Sequence, residues 1–272
     1  MNHNRPYLLK GTNLLPVLTN HPSVAHVLIL HSNAKTAFTN DALDSNLVNV
    51  RKLQHIDAVT LNADMGLAIR FHYCAGAPNE WVLIVDDDME VHPAAISSMI
   101  HAMIDDPRRI VGHYGRQYDM EAAPQRHGYD TRDIFGPVEV VLTKAMMLEK
   151  TVCRQFEQHM HIVDDLVPTS KPKWNGEDIF VNLVANQYYN VVDGDFHNLA
   201  IEDLAVWDAD TSAFPDEDSV SGNMDRNRVW NVGFDAWNEA REKANKHTFY
   251  RGLLWDTAKQ RLAALDREAF TG

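Results

Sequence analysis

Trp81-Val-Leu-Ile-Val-Asp86-Asp87-Asp88-Met-Glu-Val-His92-Pro93 decides how this chain is read. Five apolar residues, three of them β-branched, form the strongest strand candidate in the sequence. They run straight into three carboxylates, then a short turn, then a proline placed to open a helix. In open α/β sheets, ligands bind beyond the carboxyl ends of strands. Three adjacent acids repel one another and cannot be buried without compensation. A hard divalent cation such as Mg2+ or Mn2+ is the usual compensation, and it commonly keeps ligand phosphates among its own ligands. The competing reading is a solvated acidic turn.

Outward from this segment, short apolar runs alternate with helical patterns. Residues 25–30 and 57–61 read as strands and 65–73 as a helix. After Pro93, the residues Ile96, Met99, Ile100, Met103 and Ile104 recur on one helical face. Residues 109–114 and 139–142 read as strands, the second leading into a helix that ends near Met160. Glu177–Gln187 reads as a helix with two acids at its favourable end. The alternation predicts an α/β fold with a mixed, mainly parallel central sheet flanked by helices. Residues 117–136 and 197–223 read as long loops, where sites tend to lie. In the tail, Trp255, Ala258, Leu262, Leu265 and Ala269 recur at spacings of three and four. That stripe fits a helix docked on its own domain or an oligomer contact. The whole chain reads as a single domain over residues 1–272, with C-terminal helices in 236–270.

Composition bounds the partners. The chain has 272 residues and a net charge of −13, with 45% hydrophobic residues. That is an ordinary globular composition. The acidic balance argues against nucleic acid, which demands a basic footprint, and against anionic lipid. No apolar run approaches the roughly 20 residues needed to cross a bilayer. The N-terminus shows no leader pattern, and Cys74 and Cys153, read as free thiols, suit a reducing compartment. A cytoplasmic location is therefore expected. His159 and His161 read as an exposed polar stretch rather than a metal site. His197 is a weaker second-ligand candidate.

Four segments in order resemble the exostosin-like glycosyltransferases of family 64, from about Arg5 to Arg228. Gly66-Leu-Ala-Ile-Arg70-Phe71 resembles the family's segment before its acidic strand. Val82-Leu-Ile-Val-Asp-Asp-Asp88 resembles its DxD strand. Pro107-Arg-Arg-Ile-Val-Gly-His-Tyr-Gly-Arg116 and Trp174-Asn-Gly-Glu177-Asp178-Ile-Phe-Val-Asn182 resemble two later motifs. The resemblance implies a GT-A fold and a retaining, Mn2+-dependent transfer of a hexosyl or N-acetylhexosaminyl group. The donor would be a nucleotide-sugar, a UDP-sugar above all, and the acceptor a glycan or glycolipid.

The roles it implies are specific. Asp88 would ligate the metal, Asp86 bind the ribose and Asp87 the donor sugar. Arg70 and Arg116 would hold sugar or diphosphate oxygens through forked donors. Asp178, with Glu177 beside it, would lie under the anomeric carbon. A late arginine, Arg226 or Arg228, would meet the diphosphate. Arg5 stands in the family's opening turn, and Asn33 matches a uracil contact. The sequence departs from the pattern in two places. Only three residues precede that turn, so the family's first strand is missing or cut to a stub. The alternatives this opens are a fragment trimmed from a Golgi-lumen enzyme, a start at an internal Met, a strand borrowed from another copy, and a non-catalytic sugar- or nucleotide-binding module. Gly176 stands where the family has a cysteine. A sugar-phosphate nucleotidyltransferase shares the layout but should carry a glycine-rich phosphate loop, which is absent.

Overall fold

The computed structural model describes residues 9, 12–31, 50–117, 133–166, 176–189, 197–208, 251–265 and 267–270. The elements in chain order are α1 (Leu14–Asn20), β1 (Val27–His31), β2 (Leu53–Asp57), α2 (Val59–Met65), α3 (Ile69–Ala75), β3 (Trp81–Val85), β4 (Met89–Val91) and α4 (Pro93–Asp105). After these come β5 (Val111–Gly112), β6 (Gly115–Arg116), β7 (Gly136–Val138), β8 (Val140–Val141), β9 (Ala145–Glu149), α5 (Lys150–His159), α6 (Glu177–Tyr188), β10 (Asn198–Ala200) and β11 (Val206–Asp208). Residues 251–263 form a last helix, α7.

The fold is mixed α/β, as the alternation predicts. β3 ends one residue before Asp86, as the apolar run dictates. The main sheet has the order β3-β9-β5-β10-β7. Its directions differ from the expected mainly parallel pattern. Only β10 with β5 is parallel in this sheet, while β3–β9, β5–β9 and β10–β7 are antiparallel. β1 and β2 form a separate parallel pair. The reason is β9, which lies between β3 and β5. Its sequence, Ala-Met-Met-Leu-Glu, has helical propensity and merges in the sequence with the helix that follows. Burial overrides that propensity, since Ala145 to Leu148 are at most 4% exposed.

Other boundaries shift for local reasons. The second strand lies at Leu53–Asp57 rather than 57–61, because Asp57 Oδ1 accepts the Val59 N–H at 3.1 Å and starts α2 there. The stretch read as a loop from 197 holds β10 and β11, both too short to announce themselves as apolar runs. On α4, Ile96, Met99 and Met103 are buried but Ile104 is 61% exposed.

Two apolar layers sandwich the sheet. One joins α3, α5, α6 and α7, with Phe71, Phe156 and Phe180 fully buried and in ring contact. Leu254, Trp255, Ala258 and Leu262 belong to this layer, so the tail helix docks on its own chain. The other layer joins α1 and α4 to the opposite face. Gly112 allows β5 to lie close against its antiparallel neighbour β9, since a Cβ there would sit 2.3 Å from the Ala145 carbonyl oxygen.

Cys74 and Cys153 form a disulfide between α3 and α5. This corrects the reading of both as free thiols and removes that argument for a reducing compartment. The two cysteines lie 79 residues apart in sequence, a separation that gives no hint of pairing. His159 is also corrected. It is buried, with Nδ1 2.8 Å from the Gln155 carbonyl and its ring stacked on Phe270. His161 is exposed as expected.

Candidate active site

The site is built where β3 ends. The Asp86 N–H donates to the Lys144 carbonyl at 3.0 Å, which carries β3–β9 pairing one residue into the acidic triplet. Beyond that point the carboxylates diverge. Asp86 turns to Arg70, Asp87 is 2% exposed, and Asp88 is half-buried.

Arg70 is held at the start of α3. Its Nη1 donates to Asp86 Oδ1 at 3.0 Å, its Nε donates to the Leu67 carbonyl at 3.2 Å, and Nε lies 3.9 Å from Glu177 Oε1. The residue is 6% exposed. Burial works against its charge, but Asp86, then Glu177 and Asp178, outweigh that and hold it protonated.

Glu177 and Asp178 open α6. Gly176 precedes them with φ +123°, a conformation glycine adopts without Cβ strain. That is a local reason for glycine where the resembling family has cysteine. The Gly176 N–H donates to Glu177 Oε2 at 3.1 Å, and the Thr143 hydroxyl donates to Oε1 at 3.3 Å. The Ile179 N–H donates to Asp178 Oδ1 at 2.9 Å. Arg251, from α7, forms an ion pair with Asp178 Oδ2.

Asp86, Glu177 and Asp178 thus share two guanidiniums, Arg70 and Arg251. Three carboxylates exceed two cations, and the surplus falls on Glu177. Its burial and the neighbouring Asp178 push its carboxyl up to about 7, against the pull of Arg70 and Arg251. Glu177 is therefore the carboxyl poised to hold a proton near neutrality.

The helix carrying these acids is anchored from beneath. Asn182, fully buried, accepts the Val141 N–H at 3.0 Å and donates to the Val141 carbonyl at 2.9 Å. Asn198 donates to Asn182 Oδ1 at 2.9 Å and accepts the Ile110 N–H at 3.0 Å. This chain of amides locks α6 to β8, β10 and Ile110 at the start of β5.

A second cluster flanks the triplet. Tyr114 is 9% exposed, and its hydroxyl is pushed up first by burial, then by Asp208, Asp133 and Asp88. Lys144 bonds Asp208 at 2.6 Å and sits 4.8 Å from the Tyr114 ring centroid. Arg116 pairs with Asp133 and donates to the Gly115 carbonyl at 2.8 Å.

The fold thus brings Arg70, Asp86, Glu177 and Asp178 into one network. Asp88 and Arg116 lie with the Tyr114 cluster, and Asp87 is buried at the strand end. Arg5, Asn33, Arg226 and Arg228 lie outside the described residues. Arg251 was not singled out from the sequence. The signal was there: stepping back four residues from Trp255 along the tail stripe puts a charged side chain on a buried face. His197 Nε2 lies 3.1 Å from Asp106 Oδ2, an ion pair when protonated. Among the described residues no three His, Cys, Asp or Glu side chains converge on a metal position.

The candidate site joins a largely buried two-arginine, three-carboxylate network to an acidic strand end in an α/β fold. Residues 3–227 match the glycosyl transferase family 64 domain. The chain belongs to glycosyltransferase family 64, and is a glycosyltransferase. No curated protein matches it significantly. Among solved structures it is similar to a mannosyltransferase, PcManGT from Pyrobaculum calidifontis in complex with GDP-Man and Mn2+, at 13% identity and a TM-score of 0.44. That match covers 99% of this chain and 75% of the other.

Proposed function

We propose that this chain is a single GT-A-type catalytic domain that moves a sugar from a UDP-sugar to a glycan or glycolipid acceptor, with retention and with a divalent metal. The observation that carries the reading is the shared network of Arg70, Asp86, Glu177 and Asp178 at the end of β3. It draws residues from three separate motifs into one cluster, with Arg70, Glu177 and Asp178 buried and Asp86 half-buried.

Asp88 is the residue that would hold Mn2+ or Mg2+. It offers a half-buried oxygen donor, the ligand type a hard cation prefers, and one or two carboxylates suffice when phosphates fill the other positions. When bound, such an ion offsets the charge that develops on a departing diphosphate.

The chain's own groups do the rest. Arg70 presents a forked donor whose charge is fixed by its carboxylate neighbours, suited to sugar or diphosphate oxygens. Asp178 is oriented by Arg251 and by the Ile179 amide. Its oxygens, in a dry site, are placed to favour positive charge at an anomeric carbon beside them. Glu177 can hold or accept a proton next to it.

The test is calorimetry with UDP and Mn2+. Binding should require the metal and vanish in Asp88→Ala. Absence of nucleotide binding with the metal present would overturn the reading. A thermal-shift panel of UDP- and GDP-sugars then identifies the donor by the stabilisation each gives.

A further inference from the structure

β4 and β11 form a ribbon of two three-residue strands that stands apart from the main sheet. A strand pair that short is marginal on its own. Its inner face is apolar, with Met89, Val91 and Val206 buried. Its far end is tied down by the Val91 N–H, which donates to Asn13 Oδ1 at 3.1 Å, and by the His92 N–H, which donates to the Ala205 carbonyl at 3.0 Å. At its near end, a turn at Asp87 and Asp88 joins β3 to the ribbon.

Lys144 grips that turn at both ends. Its carbonyl accepts the Asp86 N–H at 3.0 Å, one residue before the turn. Its Nζ donates to Asp208 Oδ1 at 2.6 Å, and Asp208 is the cross-strand partner of Met89, one residue after the turn. The backbone beside Lys144 is itself fixed, since Ala145 pairs with Val85 where β9 meets β3. The ammonium lies 4.8 Å from the ring centroid of Tyr114, which is buried. The lysine is therefore held along its length. Its ion pair loses less side-chain freedom than one between two loose surface groups.

We propose that Lys144 is a positioning residue. Its reach to Asp208 straps the β4–β11 ribbon to the end of β3 and holds the turn in the shape that presents Asp88 to a divalent cation. This rests on the reading of Asp88 as the metal-holding side chain. As a charge, a lysine beside a cation site is unfavourable, because it repels the ion. What the lysine holds in place accounts for its position, and Asp208 offsets its charge.

Calorimetry of UDP over a series of Mn2+ concentrations tests this on the whole chain. The variants are Lys144→Met, Asp208→Asn, the two combined, and Lys144→Arg. Each single neutral variant should need about fivefold more Mn2+ for half-maximal UDP binding, the shift an ion pair of this exposure can supply. The double variant should need no more than either, and Lys144→Arg should match the parent. Charge acting through space predicts shifts of opposite sign, since losing an ammonium favours a bound cation and losing a carboxylate disfavours it. Opposite shifts, or no shift in Lys144→Met, overturn the strap. Hydrogen exchange in the metal-free chain reads the strap without a donor. The amides of β4 and β11 should exchange about two- to fivefold faster in both neutral variants, and unchanged exchange overturns the proposal. A parent chain that binds no UDP with Mn2+ present overturns the donor reading instead, and exchange alone then decides the strap.

Discussion

Arg251 and Asp178 form an ion pair across 73 residues of sequence, with both side chains 8% exposed. The pair ties the last helix to the first turn of the helix that carries both site acids. Its loss is therefore both structural and chemical. Arg251→Met leaves three carboxylates, Asp86, Glu177 and Asp178, facing Arg70 alone. Removing one partner of a buried pair costs about 3–5 kcal/mol. Urea unfolding should show a loss of that size, and a loss below about 1 kcal/mol would mean that the pair behaves as a surface contact.

Glu177 gives stability a pH dependence of definite sign. Its carboxyl rises from an ordinary 4.5 to about 7 in the fold, first through burial and then through Asp178. The folded state keeps its proton where the unfolded state has lost it. The group's stabilising contribution is thus fully present below about 4.5, falls as pH rises, and is gone above about 7. The drop across that window is on the order of 3 kcal/mol. Glu177→Gln should flatten the dependence in chemical denaturation series run from acid to neutral pH. An unchanged slope would move the proton to another group.

Arg70→Lys keeps the charge and discards the fork. A charge-assisted hydrogen bond contributes about 1.5–3 kcal/mol, so under the proposed function donor affinity should fall by roughly 10- to 150-fold. Titration calorimetry measures the fall, and circular dichroism checks that the fold persists. Affinity equal to that of the parent chain would show that Arg70 serves the Asp86 ion pair alone.

The Cys74–Cys153 bridge closes a loop of 79 residues between α3 and α5. The chain-entropy relation gives a loop of that length about 4–5 kcal/mol of stabilisation. Cys74→Ser with Cys153→Ser should lower the unfolding midpoint accordingly, and the parent chain under a strong reductant should approach the double variant. Identical midpoints with and without reductant would mean that the thiols are unpaired in solution. Because α3 carries Arg70, the double variant should also weaken donor binding.

Much of the site was legible because its residues sit in motifs with local causes. The β3 run ends in Asp86–Asp88 by composition alone. Glu177 and Asp178 open a helix whose period is visible in the sequence, and Arg70 lies in a short segment of recognisable order. Arg251 and Thr143 were not legible in that way. Each joins the site through a contact between distant elements, and no local pattern marks one buried polar residue as another's partner. β9 was missed for a related reason. Its residues prefer a helix, and only the strands on both sides make it extended.

By itself, then, the sequence determined the strand that ends in acids, the alternation that makes an α/β fold, and the family to which the chain belongs. These rest on periodicity and composition, which act over a few residues. The tertiary structure alone decided the mixed strand directions, the disulfide, the upward shift of the Glu177 carboxyl and the two-arginine balance that limits it. Those depend on which groups meet after burial, where the low dielectric makes a neighbour's charge count for more than a residue's own type.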